Sequence, residues 1–99
     1  MEMMKLYHGT SWKNAEYIEK EGFVGGELSA MTSMKHVHGG VVYMAASIEE
    51  AAEYGEAIFE IDFDLDGCEQ PEQFTDGNTN HWYSTDENIN QAADYRRIR

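Results

Sequence analysis

Residues 3–8, MMKLYH, form an apolar and aromatic run that stops at Gly9 and predicts a short strand. The next stretch, TSWKNAEYIEKEGF, changes period. Thr10 or Ser11 suits a helix N-cap, and Trp12, Ala15 and Ile18 recur at the spacing of one amphipathic helical face. Gly22 ends this helix, and Phe23 is expected to fold back onto the core. VVYMA, residues 41–45, is β-branched and aromatic, hence a second strand. In SIEEAAEYG, Ser47 is the expected N-cap, Glu49 and Glu50 occupy the first turn and Gly55 closes the helix. AIFEIDFDLDG sets Phe59, Ile61, Phe63 and Leu65 against Glu60, Asp62 and Asp64. That alternation predicts a half-buried strand with an acidic outer face at a solvated sheet edge.

The remainder is less strongly patterned. Residues 24–40, VGGELSAMTSMKHVHGG, read as one long loop with Gly25, Gly26, Gly39 and Gly40 as hinges. Loops of such length in compact domains are functional or disordered, and this one is expected to order over a ligand or partner. CEQPEQFTDGNTN reads as turn chemistry around Pro71 and Asp76-Gly77. HWYST and ADYRRIR read as two closing strands with DENINQ between them, where Asp86 and Glu87 suit a turn or cap. The predicted class is α+β, one domain over residues 1–99, with a mostly antiparallel split sheet and two short helices.

Composition narrows the function classes. Nineteen acidic against seven basic residues give a net charge of −12. Such a surface repels phosphate backbones, so direct nucleic-acid binding is not expected; it suits solubility or a basic protein partner. Cys68 is the single cysteine, which excludes an internal disulfide. His36 and His38 lack a Cys or carboxylate at ligand spacing, so they read as loop histidines and no metal site is expected. Met1, Met3, Met4, Met31, Met34 and Met44 read as gap-fillers rather than a cofactor box. With no apolar h-region or membrane-length run, a soluble cytoplasmic protein is expected, in its own or a host cell. Small size and acidity suit a phage or mobile-element protein.

Three features suggest a pocket. One strand ends in His8-Gly9-Thr10, a second carries Tyr43, and the helix after it ends near Tyr54. Glycine at a strand end lets a ligand approach the backbone, and two tyrosines can sandwich a flat ring. A histidine at the strand end can bond a ribose hydroxyl. Carboxamide, ring and ribose together describe nicotinamide riboside.

LYHGTSWKNAEYIEKEGF resembles the first strand and helix of the ADP-ribosyltransferases of the diphtheria-toxin and poly(ADP-ribose)-polymerase-like class. VVYMAASIEEAAEYG is similar to the family's second motif, a strand tyrosine, a small residue two on, then a helix with a second tyrosine. The resemblance covers residues 5–64 and implies a minimal domain that uses NAD as substrate. His8 would hold the adenine-side ribose, the Gly9 backbone would pair with the nicotinamide amide, and Thr10 would complete the motif. Tyr43 and Tyr54 would stack the nicotinamide, with Ala45 leaving room beside it. The implied activity is mono-ADP-ribosylation of a protein. This chain departs from the pattern at Ala51, where a serine is common, and at the late-strand glutamate. His81 stands in that glutamate's register, and Glu87 is the next candidate for its role. Relatives lacking the glutamate transfer a single ADP-ribose, act on phosphorylated RNA ends, or have lost catalysis. The RNA-end branch needs basic residues that are scarce here. A catalytically inactive relative that inhibits a basic partner, or sequesters an NAD-derived nucleotide, is therefore the alternative.

Overall fold

The computed structural model describes residues 2–24, 40–76 and 79–99. In chain order the elements are β1 (Met3–Thr10), α1 (Trp12–Glu21), β2 (Val41–Met44), α2 (Ile48–Ala52) and β3 (Ala57–Asp64). They are followed by β4 (Glu72–Asp76), β5 (Thr79–Thr85), α3 (Asp86–Ala92) and β6 (Asp94–Arg97). Two antiparallel three-stranded sheets form, ordered β1-β3-β6 and β2-β5-β4. Among the described residues they meet at one bridge, where Tyr7 N–H donates to Ala45 O at 2.9 Å and Ala45 N–H to Tyr7 O at 2.7 Å. The chain is an α+β domain with a split antiparallel sheet.

Alternation along β1 and β3 builds the core. Leu6 lies opposite Ile61, His8 opposite Phe59 and Met4 opposite Phe63. Phe59, Ile61 and Phe63 pack with Leu6, Ile18, Phe23, Val42, Met44 and Ile89. Ile58 turns the other way and forms a smaller cluster with Ala45 and Ala51, against Tyr7. The acidic face of β3 corrects the sequence expectation, because β3 is the central strand of its sheet. Lys5 on β1 sits 3.2 Å from Glu60, and Arg96 on β6 pairs with Glu60 and, at 3.0 Å, with Asp62. The cations come from flanking strands, so the sequence of β3 alone resembles a solvated edge.

Ser11 caps α1 by accepting the Asn14 N–H, and Ala15 and Ile18 are its buried residues. Trp12 departs from that face. It is 50% exposed, its indole N–H donates to Glu56 at 2.8 Å, and the Arg97 guanidinium lies 4.9 Å over its ring. Gly22 has φ 88° and ψ −178°, a conformation essentially restricted to glycine, and its N–H closes the helix on Ile18 O at 2.8 Å. The turn delivers Phe23 to the Asn90 carboxamide, which donates to Phe23 O at 2.8 Å and accepts its N–H at 2.9 Å.

The second half differs most from expectation. Residues 72–76, read as turn, are β4, paired with β5 from Glu72↔Tyr83 to Asp76↔Thr79. A third helix, α3, replaces a plain connection; Thr85 caps it through Asn88 N–H, and Asp86 and Glu87 form its first turn. α2 ends at Ala52 rather than at Gly55. Of the long loop read over residues 24–40, only Val24 and Gly40 are described; Gly25, Gly26, Gly39, His36 and His38 lie outside the described residues. Among the described residues no helix is long and apolar enough to cross a membrane.

Candidate functional site

β1 carries His8 and Gly9 to the seam between the sheets. His8 Nδ1 lies 2.7 Å from Tyr43 O. A carbonyl only accepts, so Nδ1 carries the hydrogen and Nε2 keeps its lone pair. Burial lowers the His8 pKa against the opposing pull of this hydrogen bond, so the ring is neutral at pH 7. The Phe23 ring meets it edge-on, centroids 5.3 Å apart. Asn90 thus fixes the ring that supports His8.

A histidine whose folded pKa lies below its unfolded value leaves the unfolded state binding more protons. Its contribution to stability is therefore intact above about pH 6.5 and declines as pH falls below that value. In His8→Gln this proton uptake is absent. Urea unfolding of both proteins between neutral pH and pH 5 is expected to show wild type losing stability relative to the variant. A constant difference across that range would place His8 in solvent.

Gly9 serves two geometric ends. A Cβ there would stand 1.8 Å from Ala51 O, so α2 packs directly on the Gly9 backbone. The carbonyl side of α2 thus occupies the space a side chain would fill. Along an antiparallel strand, N–H and C=O of one residue point to the same edge and alternate with the next residue. Tyr7 points both at Ala45. Gly9, two residues on, points toward the same edge, the one that β2 approaches. Its partner across the ladder, Ile58, bonds instead to Ile98 and Arg99. Thr10, buried at the strand end, lies so close to Gly55 that a Cβ on Gly55 would come within 2.3 Å of its carbonyl.

The second sheet supplies the aromatic groups. Its register pairs Tyr43 with Tyr83 and Met44 with Trp82. Val42 and Met44 enter the main core, so Tyr43 and Tyr83 occupy the opposite face. His81, two residues before Tyr83, shares their face, one row beyond the last β2–β5 pair, Met44 with Trp82. Tyr54, just beyond α2, reaches this row: its hydroxyl is 3.2 Å from His81 Nδ1, with ring centroids 6.1 Å apart. Tyr43 is 36% and Tyr54 60% exposed. Ala45 is buried against Ala51 and Ile58, and Ala51, where a serine was the expected pattern, faces Gly9.

The structure therefore brings His8, Gly9, Thr10, Tyr43, Ala45, Tyr54 and His81 to one seam. Glu87 is not among them. It lies exposed on the first turn of α3, where Gln91 Nε2 donates to it at 3.4 Å. Glu87 instead borders a groove of about 720 Å³ between residues 66–72, the end of β5 and α3. Asp66, Glu69 and Glu72 also line it. Asn88 pins its floor, donating to Glu69 O and Ser84 Oγ at 2.9 Å each. Burial, Asp64 and Glu69 push the Cys68 thiol pKa up, which keeps it protonated.

Two residues escape the sequence reading. Tyr83, 6% exposed, donates its hydroxyl to Glu72 Oε2, directly opposite on β4. Burial first, then Glu72, pushes the Tyr83 phenol well above its usual range. The signal was present: Tyr83 follows His81 by one strand period, and Asp76-Gly77 marks the hairpin that sets Glu72 against it. Comparison of the chain with protein-family models, curated proteins and solved structures gives no match.

Proposed function

We propose that this protein binds NAD at the seam between its sheets and transfers a single ADP-ribose to a protein acceptor. The observation that supports this most is the meeting of Tyr43, Tyr54 and His81 on one face of the second sheet, with the His8 ring bonded to the Tyr43 carbonyl from the core side of β1. In this reading the Gly9 N–H and C=O pair with the nicotinamide carboxamide. Tyr43 and Tyr54 stack the ring, Ala45 leaves space beside it, and Thr10 closes the strand end. Neutral His8 accepts a ribose hydroxyl at Nε2. Cleavage of the nicotinamide–ribose bond develops positive charge on the ribose, and groups aligned to its hydroxyls lower that barrier. His81 holds the position next to the reacting ribose, oriented by the Tyr54 hydroxyl. The reaction would take place in the cytoplasm of the producing or host cell.

Release of nicotinamide from NAD, measured with a cell lysate as acceptor source, tests the activity. His81→Ala is expected to lower the release rate roughly 10²–10³-fold while NAD still binds, as for loss of one hydrogen bond made mainly in the transition state. Absence of release by wild type with any lysate overturns the enzymatic reading.

A second reading has its own observation. Asp66, Glu69, Glu72 and Glu87 line one groove, with no Lys or Arg among the described residues of its wall. An inactive protein could hold a basic partner there, its charge aiding association. Asp62, already paired with Arg96, is a poorer candidate for that contact. Wild type that binds NAD without turnover, yet retains a basic protein in a salt-sensitive manner, would favour this reading.

A further inference from the structure

The seam has an aromatic wall and a histidine but lacks a carboxylate at the position of His81. The register of the second sheet shows where one stands. Tyr43, Tyr83 and Glu72 lie in a row across β2, β5 and β4, on the face that also bears His81. Adjacent strands are about 4.8 Å apart, so Glu72 is two strands from Tyr43. Tyr83 lies between them with its hydroxyl on Glu72. Both Tyr83 and Glu72 also border the groove beside α3. The row thus runs from the proposed nicotinamide site to an open approach on the other side.

We propose that the Tyr83–Glu72 pair receives the proton of the acceptor that attacks the ribose, with the acceptor entering through the groove. This rests on the ADP-ribosyl-transfer reading. The C1′–nitrogen bond breaks and its electron pair leaves with nicotinamide, which becomes neutral. A lone pair of the acceptor forms the new bond to C1′. The acceptor's proton passes to the Tyr83 oxygen as the Tyr83 hydrogen passes to the Glu72 carboxylate, which later releases it to water. Tyr83 is suited to this exchange because it is held as a neutral phenol already donating to its base. Glu72 acts through Tyr83 and is a positioning residue and proton sink. Glu87, on the groove's other wall, is not part of the relay.

Glu72→Gln and Tyr83→Phe in the full chain test the pair. Calorimetry with NAD and a rate–pH profile of nicotinamide release are measured on each, with thermal melts to confirm folding. Glu72→Gln changes an exposed side chain and is the variant expected to fold without loss. It should bind NAD as wild type does and release nicotinamide at least about 10²-fold more slowly across the pH range measured. The double variant should be no slower than the slower single variant, because the two groups act as a unit. An unchanged rate and profile in Glu72→Gln, while wild type turns over, overturns the relay and leaves the transferase reading standing. A weakened NAD affinity with an unchanged rate also overturns it. If wild type releases no nicotinamide, the relay and the transferase reading fall together.

Discussion

Gly9→Ala is expected to destabilise the fold more than any other single-methyl addition along β1. The new Cβ would lie 1.8 Å from Ala51 O and 2.7 Å from the Ala51 carbonyl carbon, where no flexible side chain can yield. α2 would have to leave β1, and with it the packing of Ala51 on Ala45 and Ile58. Overpacking of this kind costs about 3 kcal/mol at the upper end of its usual range. For a domain of this size that corresponds to a fall in Tm of roughly 12–24 °C. Gly67→Ala is the matched control, since the nearest atom there is Asp64 Oδ2 at 3.8 Å; its change should stay within about 0.5 kcal/mol. Thermal melts of the two variants decide the point. A Gly9→Ala protein as stable as wild type would mean that α2 does not rest on the strand end.

Tyr43→Ala is expected to remove NAD binding and spare the fold. The ring is more than a third exposed on the face away from the main core, so its truncation leaves no closed cavity there. The contact with His8 uses the Tyr43 backbone carbonyl and survives the substitution. In the proposed NAD-binding reading the loss falls instead on the stacked nicotinamide. Removing one aromatic wall costs about 3 kcal/mol when the ring is fully packed, equivalent to a loss in affinity of roughly 10²-fold. Calorimetry with NAD reads this directly. Unchanged affinity would place the pocket elsewhere, and an unfolded variant would make Tyr43 a core residue.

Local signals in the first sixty residues translated well into structure. Ser11 and Ser47 cap helices where their spacing suggests, and Gly22 adopts the backbone that only glycine accepts readily. β3 was legible as a strand but not as a central one, because neutralisation of Glu60 and Asp62 depends on Lys5 and Arg96 from other strands. β4 and α3 were poorly legible for a related reason. EQFTD has a single β-branched residue and depends on β5 for its pairing, while α3 has only Ile89 as a fully buried anchor. At the seam, His8, Tyr43, Tyr54 and His81 could be singled out by residue type and spacing. Glu72 and Tyr83 are reached only through the β4–β5 register, which residue type and spacing within one strand do not set. Glu87 was favoured by sequence distance alone, and the turn into α3 carries it to the groove.

The central claim is that a nicotinamide dinucleotide occupies the seam between the two sheets. Calorimetric titration of the wild-type chain with NAD, repeated in excess nicotinamide, tests it most directly. The account predicts saturable binding at one site per chain, weakened by competing nicotinamide. Absence of NAD binding, or binding indifferent to nicotinamide, would contradict it.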